Sequence, residues 1–314
     1  MTSPEPAATT PLLRALRAVV SAPPWLDPLK LPLVAAGVAL QEWRPFHPPA
    51  GPLRCEAGFW LAGGARASML NRVVAYRGLF EPGLTSAIAS IVQPGDHVVD
   101  VGANAGYFSL LLADRVGPEG RVLAVEAAPG NVRRLHANLA ANPTLVPRVE
   151  VVHAAASDRE GVLGFDLSPR NDMHGRLAGA PDVPPRRDWR RIEVPAQRMQ
   201  RLLGPAPQRW SFVKVDIEGA EPQVLPDLLA HCSHERLCLA LELKPPHIAG
   251  CVDRLAAAGL HLYDLGNDYR WLLNRGRPPA LCPVAPEQLR RRRRMVDLIA
   301  SRQPLAPLAH PLPR

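Results

Sequence analysis

The sequence predicts an α/β protein with a mostly parallel sheet and helices on both faces of that sheet. From about residue 84 onward, apolar runs typical of strands alternate with helical patterns, an arrangement that requires crossover connections. The runs are continuously apolar, as expected of parallel strands covered on both faces. Two further strands, at 260–265 and 269–273, predict an antiparallel hairpin at the edge and a seven-stranded sheet in all.

The elements follow one another in chain order. A helix over 85–92 ends at the turn signal Gln-Pro-Gly-Asp at 93–96. Two extra strands, at 163–167 and 192–195, flank a loop rich in Pro and Arg. The strands predicted for the main sheet before the hairpin are 97–101, 121–125, 149–154, 212–217 and 237–243. The helices between and after them are 107–116, 129–141, 220–231 and 246–258.

The distribution of proline predicts three parts. The chain has 36 prolines, and they concentrate in the first 55 residues, around 181–207 and after 277. Proline is poorly tolerated inside helices and sheets. We therefore expect a Pro-rich, partly helical N-terminal extension or cap over 1–84 and an α/β domain over 85–275. The remaining 276–314 are expected to be a basic tail with a helix at 287–301 and a Pro-rich end.

The charge of the chain bounds its possible partners. Its composition, 47% hydrophobic and 21% charged, is that of an ordinary globular protein. The formal net charge is +8, and five consecutive arginines, Arg290 to Arg294, supply more than half of it. A basic stretch can indicate nucleic-acid binding. Because no aromatic residues are interleaved with basic ones here, a solvated helix face is favoured over a nucleic-acid partner.

The cysteines and the apolar segments indicate a cytoplasmic protein. The five cysteines form no CxxC pair and no cluster with histidine at metal-ligand spacing, which favours reduced thiols. The apolar run at 31–40 is interrupted by Pro32 and is too short to span a bilayer. The first residues lack the pattern of a signal peptide. No transmembrane segment is expected.

The segment 98–106, VVDVGANAG, predicts a ligand site. A strand ends here in a turn that contains Gly102 and Gly106 and opens a helix with free N–H groups. Glu126 follows twenty residues after Gly106 at the end of the next strand, where an acid can accept hydrogen bonds from two ribose hydroxyls. We therefore expect a cofactor that contains a nucleoside.

Asp100 distinguishes between two such cofactors. A dinucleotide site would read GxGxxG, and this turn lacks that pattern. A carboxylate just before the turn would repel a pyrophosphate but would attract the ammonium group of a methionine moiety. S-adenosylmethionine is thus favoured over NAD, although a nicotinamide oxidoreductase and a turn without any ligand stay open as alternatives.

Asp158 is a further candidate for the cofactor site. It follows the strand at 149–154, and its carboxylate could accept a hydrogen bond from the adenine amino group. A plain polar turn explains the same residues equally well.

A second cluster of charges lies at the end of the strand at 212–217. Lys214, Asp216 and Glu218 alternate along the extended chain and share one side of it. Glu242 ends the next strand and reaches the same sheet edge. Burying so many charges is costly unless they are paired or used. The chain has only three lysines, and Lys214 and Lys244 both lie at strand ends.

Five motifs carry a resemblance to a known family. VVDVGANAGYFSLLLA, VEAAPGN, AASDREG, FVKVDIEGAEPQVL and LALELKP occur in this order between about 85 and 275, and together they resemble the FkbM family of methyltransferases. The resemblance implies a Rossmann-like class I methyltransferase fold that uses S-adenosylmethionine. It implies O-methylation of a hydroxyl on a sugar, a polyketide or another metabolite, and a reaction site near Asp216. The cofactor site that it implies consists of Asp100, Gly102, Asn104, Gly106 and Glu126.

The expected mechanism needs a base, because a protonated alcohol is a poor nucleophile. Asp216 or Glu218 is the first choice, with Lys214 tuning its pKa and Glu242 as its partner; His174 is a second candidate. No metal is predicted, but Asp216 and Glu242 holding Mg²⁺ stays open. A nucleic-acid methyltransferase is the remaining alternative, although the Asn-Pro-Pro-aromatic motif is missing. The expected acceptor is therefore a small molecule or a glycan.

Overall fold

The computed structural model describes residues 51–63, 68–169, 175–178, 188–206, 208–266 and 281–307. The helices are α1 (Met69–Arg77), α2 (Pro82–Ile91), α3 (Tyr107–Val116), α4 (Pro129–Ala140), α5 (Met199–Leu203), α6 (Glu221–His231), α7 (Ile248–Ala257) and α8 (Pro286–Arg290). The strands are β1 (Leu53–Arg54), β2 (Trp60–Leu61), β3 (His97–Val101), β4 (Arg121–Glu126), β5 (Val149–His153), β6 (Ala155–Ser157), β7 (Gly161–Leu167), β8 (Gly175–Leu177), β9 (Arg190–Arg198), β10 (Trp210–Val215), β11 (Cys238–Leu243), β12 (His261–Asp264), β13 (Cys282–Pro283) and β14 (Val296–Ser301).

The main sheet has eight strands in the described part of the chain, in the order β13-β12-β14-β11-β10-β3-β4-β5. The five strands from β11 to β5 pair in parallel. β14 is antiparallel to both of its neighbours, β11 and β12. The prediction of a mostly parallel α/β sheet is confirmed, whereas two of the eight strands, β13 and β14, were not predicted as strands.

Two layers of helices cover the sheet, because successive side chains of a strand point to opposite faces. Val98 and Val122 belong to a core cluster with α1 to α4, whereas Val99 and Leu123 belong to a second cluster with α5 to α8. Each of the first four helices buries at least one leucine or isoleucine there, for example Leu70, Ile88, Leu110 and Leu135. Each of the last four does the same on the other face, for example with Leu202, Leu225, Leu255 and Leu289. The sheet is thus buried on both faces.

Two smaller sheets flank this core. β6, β9, β7 and β8 form a four-stranded sheet, in which β7 and β9 are the two extra strands that the sequence predicted. The hairpin of β1 and β2 is tied to α4, because the Asn142 side chain just past this helix accepts a hydrogen bond from Trp60 N and donates one to Trp60 O, at 2.9 and 2.7 Å. Asn138 accepts a further bond from Ala62 N at 2.7 Å. Segments before residue 84 therefore pack directly on the α/β core.

The helix predicted over 287–301 is wrong beyond Arg290. Only Pro286–Arg290 is helical, and Val296–Ser301 is the strand β14 between β11 and β12. Tertiary pairing overrides local propensity here, because all six residues of β14 pair with β11. The hairpin partner predicted at 269–273 lies outside the described residues.

The three-part division at 84 and 275 stays a prediction, and residues 1–50 lie outside the described part of the chain. Described segments from either side of both boundaries share core clusters: Phe80 joins the first cluster, and Leu289 and Val296 join the second. None of the helices described is long and apolar enough to cross a membrane.

Candidate active site

A cavity of about 470 Å³ opens at the carboxyl ends of β3, β4, β10 and β11. Ligands bind to open α/β sheets at this edge, and small-molecule sites occupy about 300–1,000 Å³. The turns after these four strands form its floor. Met69, Leu70 and Val73 of α1 form one wall, and Phe165 and Leu177 of the four-stranded sheet form another. The cavity is thus large enough for a nucleoside cofactor beside a reacting group.

The glycine turn after β3 is fixed by its backbone. The N–H groups of Gly102 and Ala103 both donate to the Val125 carbonyl oxygen, each at 2.9 Å, which ties the turn to the end of β4. Gly102 has a φ of 78°, and a Cβ at this position would collide with the backbone carbonyl oxygen of Asp216. Glycine is therefore required here because the segment after β10 passes so close to the turn.

Glu126 lies at the end of β4 and lines the cavity. Its carboxylate accepts hydrogen bonds from Asn104 N at 2.7 Å, Ala128 N at 2.8 Å and Asn131 Nδ2 at 3.4 Å. Burial raises the pKa of Glu126, and these three donors oppose that shift. A carboxylate has about four acceptor positions, so Glu126 retains room for a hydroxyl donor from a ligand. Its contact with a ribose stays a prediction.

Asn104 and Gly106 occupy different places in the turn. Asn104 lines the cavity with a left-handed backbone, φ 52°. Gly106 lies outside the lining and begins α3 with a φ of 90°, and a Cβ there would collide with Leu135 of α4. The structure therefore brings Asn104 to the cavity, whereas Gly106 allows two helices to pack closely.

Asp100 does not reach the cavity. Its side chain is fully buried, accepts a hydrogen bond from Ser109 Oγ of α3 at 2.6 Å, and lies 3.4 Å from Lys214 Nζ. The two charged residues are directly opposite each other in the register of β3 and β10. Alternation along β3 turns Asp100 toward α3, and its carboxylate lies outside the cavity lining in this structure, where the sequence placed it beside a cofactor ammonium.

Lys214 lies between the buried Asp100 carboxylate and the cavity, which it lines. Its Nζ lies 3.6 Å from Asp216 Oδ2, 3.4 Å from the Gly102 carbonyl oxygen and 5.3 Å from the centre of the Phe108 ring. Burial alone would lower the pKa of Lys214, but the neighbouring carboxylates, Asp100 first among them, raise it above its usual value. Lys214 is therefore charged, and its ammonium group lies beside the Asp216 side chain.

The other predicted catalytic residues meet at the same end of the sheet. Lys244 Nζ forms an ion pair with Glu218 and lies 3.0 Å from Glu242 Oε1. Glu242 is directly opposite Asp297 in the register of β11 and β14. Burial and the nearby Asp216 carboxylate raise the pKa of Glu242 well above its usual range. Lys214, Asp216, Glu218 and Glu242 all line one cavity, as the sequence predicted.

Asp158 is not brought to the cavity. Its side chain is 48% exposed and lies 3.4 Å from Arg159 Nε. The small side chains of Ala155 and Ala156 line the cavity instead. His174, the second candidate for the base, lies outside the described residues.

Glu81 and Met295 are among the cavity residues that the sequence reasoning did not find. Glu81 caps the N-terminus of α2, and Met295 directly precedes β14. The only local signal for Glu81 was an acidic residue directly before Pro82 at a helix start. Met295 follows an arginine run that favours a helix. Both reach the cavity through tertiary contacts that the local pattern does not encode.

Comparison with known proteins identifies a domain. Residues 100–247 match the Methyltransferase FkbM domain. Wheat (Triticum aestivum) protein-L-isoaspartate O-methyltransferase is 38% identical over 94 residues, which cover 30% of this chain and 34% of that protein. The AMB antimetabolite synthetase AmbE of Pseudomonas aeruginosa is 34% identical over 131 residues, covering 41% of this chain and 6% of AmbE.

Among solved structures, the SAM-dependent O-methyltransferase of Thermotoga maritima aligns with a TM-score of 0.41 and 12% identity, covering 82% of this chain and 80% of that one. The chain spans only 6% and 34% of the length of the two curated relatives above.

Proposed function

Because residues 100–247 of this chain belong to the FkbM methyltransferase domain family, we propose that the protein transfers a methyl group from S-adenosylmethionine to a hydroxyl oxygen of a sugar, a polyketide or another small metabolite. The observation that carries the proposal is one cavity with two chemically different parts. Glu126 lines it at the end of β4, Asp216 with the nearby Lys214 lines it after β10, and the glycine turn after β3 lies between these two strands.

The part of the cavity around Glu126 fits the adenosine moiety of the cofactor. Glu126 is held by three N–H groups and keeps acceptor capacity for ribose hydroxyls. Gly102 and Asn104 of the glycine turn line the cavity beside Glu126. The apolar side chains of Ala155, Phe165 and Leu177 offer a surface suited to a planar base.

The part of the cavity around Asp216 fits the reaction. When bound, S-adenosylmethionine supplies a methyl group on a positively charged sulfur, which is already electrophilic. The protein must therefore orient an acceptor oxygen and remove its proton. Asp216 is our candidate base, because its side chain is 31% exposed, lines the cavity and lies 3.6 Å from Lys214 Nζ.

The neighbouring charges support this assignment. Lys214 places an ammonium group beside the Asp216 side chain, where opposite charges attract each other and orient the carboxyl group. Glu218 is held by Lys244, so its carboxylate is less free to move toward an acceptor. Glu242 shares that lysine, and its raised pKa suits a group that hydrogen-bonds the acceptor or takes the proton onward.

The test is methyl transfer by the Asp216→Asn variant. Purified protein is incubated with S-adenosylmethionine and a panel of hydroxylated sugars and polyketides, and release of S-adenosylhomocysteine and the mass of the product are measured. We expect the wild type to form an O-methyl product and Asp216→Asn to be slower by about 10²–10⁴-fold. Asp114→Asn, on the exposed side of α3, is the matched control.

Three results would decide against parts of the proposal. Full activity of Asp216→Asn would remove Asp216 from the mechanism. Methylation of nitrogen or of a protein carboxyl group in place of a hydroxyl would contradict the acceptor class. Failure of the wild type to bind S-adenosylhomocysteine would contradict the cofactor.

A further inference from the structure

The proposed function requires a residue that binds the ammonium group of the cofactor, and Asp100 is not placed to be that residue. The methionine part of S-adenosylmethionine carries an ammonium group, and a cation taken out of water needs an anionic or polar partner. Asp100 is fully buried against Ser109 and Lys214 and does not line the cavity. Another carboxylate must therefore be sought among the residues that line it.

The cavity holds five carboxylates in the described part of the chain, and four of them already have nitrogen partners. Backbone and side-chain N–H groups donate hydrogen bonds to Glu126, and Lys214 lies beside Asp216. Lys244 lies beside both Glu218 and Glu242. The fifth, Glu81, has neither a hydrogen-bond donor nor a cationic nitrogen in contact with its carboxylate among the described residues.

The backbone holds Glu81 in an unusual conformation. Its φ and ψ are 39° and 72°, in the left-handed region, directly before Pro82 in the first turn of α2. A non-glycine residue there costs of order 1–3 kcal/mol, and such positions cluster at functional sites. Thr85 N donates to the Glu81 carbonyl oxygen at 2.9 Å, and Thr85 Oγ1 donates to the Phe80 carbonyl oxygen at 2.6 Å. Glu81 is thus fixed at the cavity wall.

The charges that face Glu81 come from three strands. Lys214 of β10, Asp216 directly after β10, Glu242 of β11 and Asp297 of β14 act on it, so three acids and one lysine face its carboxyl group. Burial and then these acids raise the pKa of Glu81 well above its usual value, and Lys214 only partly opposes them. The acids around Glu81 therefore outnumber the lysine, and a ligand ammonium would offset part of this excess negative charge.

We propose that Glu81 receives the α-ammonium group of the methionine moiety of S-adenosylmethionine. The binding residue then comes from a segment upstream of the matched domain, at residues 100–247. The turn at Gly102 and the carboxylate of Glu81 line the same cavity, so the amino-acid end of the cofactor lies between α2 and the end of β10. On binding, the Glu81 carboxylate pairs with the ammonium group, and a proton that it carries in the free protein is released to solvent.

Calorimetry with two ligands tests this assignment. S-adenosylhomocysteine and its analogue without the amino group are titrated into the wild-type protein, Glu81→Gln and the exposed control Glu119→Gln. We expect Glu81→Gln to weaken S-adenosylhomocysteine roughly 10- to 100-fold and to change the affinity of the deaminated analogue by less than about twofold. Glu119→Gln should leave both affinities unchanged. Thermal melts check that each variant is folded.

The pH dependence gives a second readout. An unperturbed glutamate, with a pKa of about 4.3, does not titrate between about pH 6 and 8. If Glu81 must ionise to bind, the affinity of the wild type for S-adenosylhomocysteine rises with pH in this window and binding releases protons, as titrations in two buffers of different ionisation enthalpy measure. Fewer protons should be released when Glu81→Gln binds the same ligand, because glutamine has no proton to lose. Equal proton release by the two proteins would overturn the ionisation step.

The outcomes separate this inference from the proposed function. Equal affinity of wild type and Glu81→Gln for S-adenosylhomocysteine, or equal losses for the two ligands, would overturn the role of Glu81 while leaving the methyl-donor site in place. Absence of binding of S-adenosylhomocysteine to the wild-type protein would contradict the proposed function itself.

Discussion

Replacing Lys214 with methionine is expected to destabilise the protein by about 3–5 kcal/mol, because it leaves a buried carboxylate without its cation. Asp100 is 0% exposed and Lys214 is 3% exposed, so water cannot screen the charge that remains. Ser109 still donates to Asp100, which keeps the cost within this range. The double variant Asp100→Asn/Lys214→Met removes both charges and is expected to be more stable than Lys214→Met alone.

Lys244→Met is the matched comparison. Lys244 is 31% exposed, and its partners Glu218 and Glu242 are 25% and 17% exposed. Solvent screening reduces the value of such a pair, so we expect a loss of about 1 kcal/mol or less. The difference between the two lysine variants therefore isolates the effect of complete burial.

The assay is urea unfolding followed by circular dichroism, with linear extrapolation to water. The double-mutant cycle of Asp100 and Lys214 should give a coupling energy of about 2 kcal/mol or more. A loss below about 1 kcal/mol for Lys214→Met, or additive effects of the two single substitutions, would refute the reasoning that these charges depend on each other.

Three further predictions concern the turn, the pH dependence and metal. Gly102→Ala should lower the free energy of unfolding by at least about 2 kcal/mol, because the added Cβ collides with the Asp216 carbonyl oxygen. Gly95 also has a positive φ but no atom within 4 Å of an added Cβ, so Gly95→Ala should lower it only by the backbone strain. Urea unfolding compares the two variants. Burial raises the pKa of Glu221 to about 7, so its contribution to stability is present at pH values below its pKa in the unfolded chain and is lost as pH rises toward 7. The free energy of unfolding across this window should depend less on pH in Glu221→Gln than in the wild type. The same pH dependence in both proteins would contradict the shift. Methyl transfer should survive EDTA, because lysine ammonium groups lie beside Asp216 and Glu242 where a metal alternative would place Mg²⁺; loss of activity that added Mg²⁺ restores would favour the metal.

The sequence was sufficient where local and global preferences agree. The continuous apolar run of β3, the turn containing Gly102 and the helical pattern of α3 all predict the same βα unit, and the structure has both elements with the predicted bounds. The same holds for the ends of β10 and β11, because parallel strands bring their carboxyl ends to one edge. The sequence pattern alone therefore places Asp216 and Glu242 at a common site.

Side-chain direction was harder to predict. Asp100 precedes the glycine turn and is close to the cofactor site in sequence, but alternation along β3 turns it toward Ser109 of α3. Its partner Lys214 comes from a strand more than one hundred residues away. Only the register between β3 and β10 shows that these charges neutralise each other behind the cavity.

Non-local pairing decided the elements that the sequence did not predict. The segment Val296–Ser301 comes shortly after the run Arg290 to Arg294 and was expected to continue a helix, but its six residues complete the sheet between β11 and β12. Glu81 lies at the cavity only because α2 packs on the same core as α3. No periodicity in either segment carries this information.

The most direct test of the central claim is a crystal structure of the protein with S-adenosylhomocysteine. We predict that a ribose hydroxyl lies within about 3 Å of a Glu126 carboxylate oxygen and that the sulfur faces the side of the cavity where Asp216 lies. A ligand bound elsewhere, or one whose ribose has no contact with Glu126, would contradict the account.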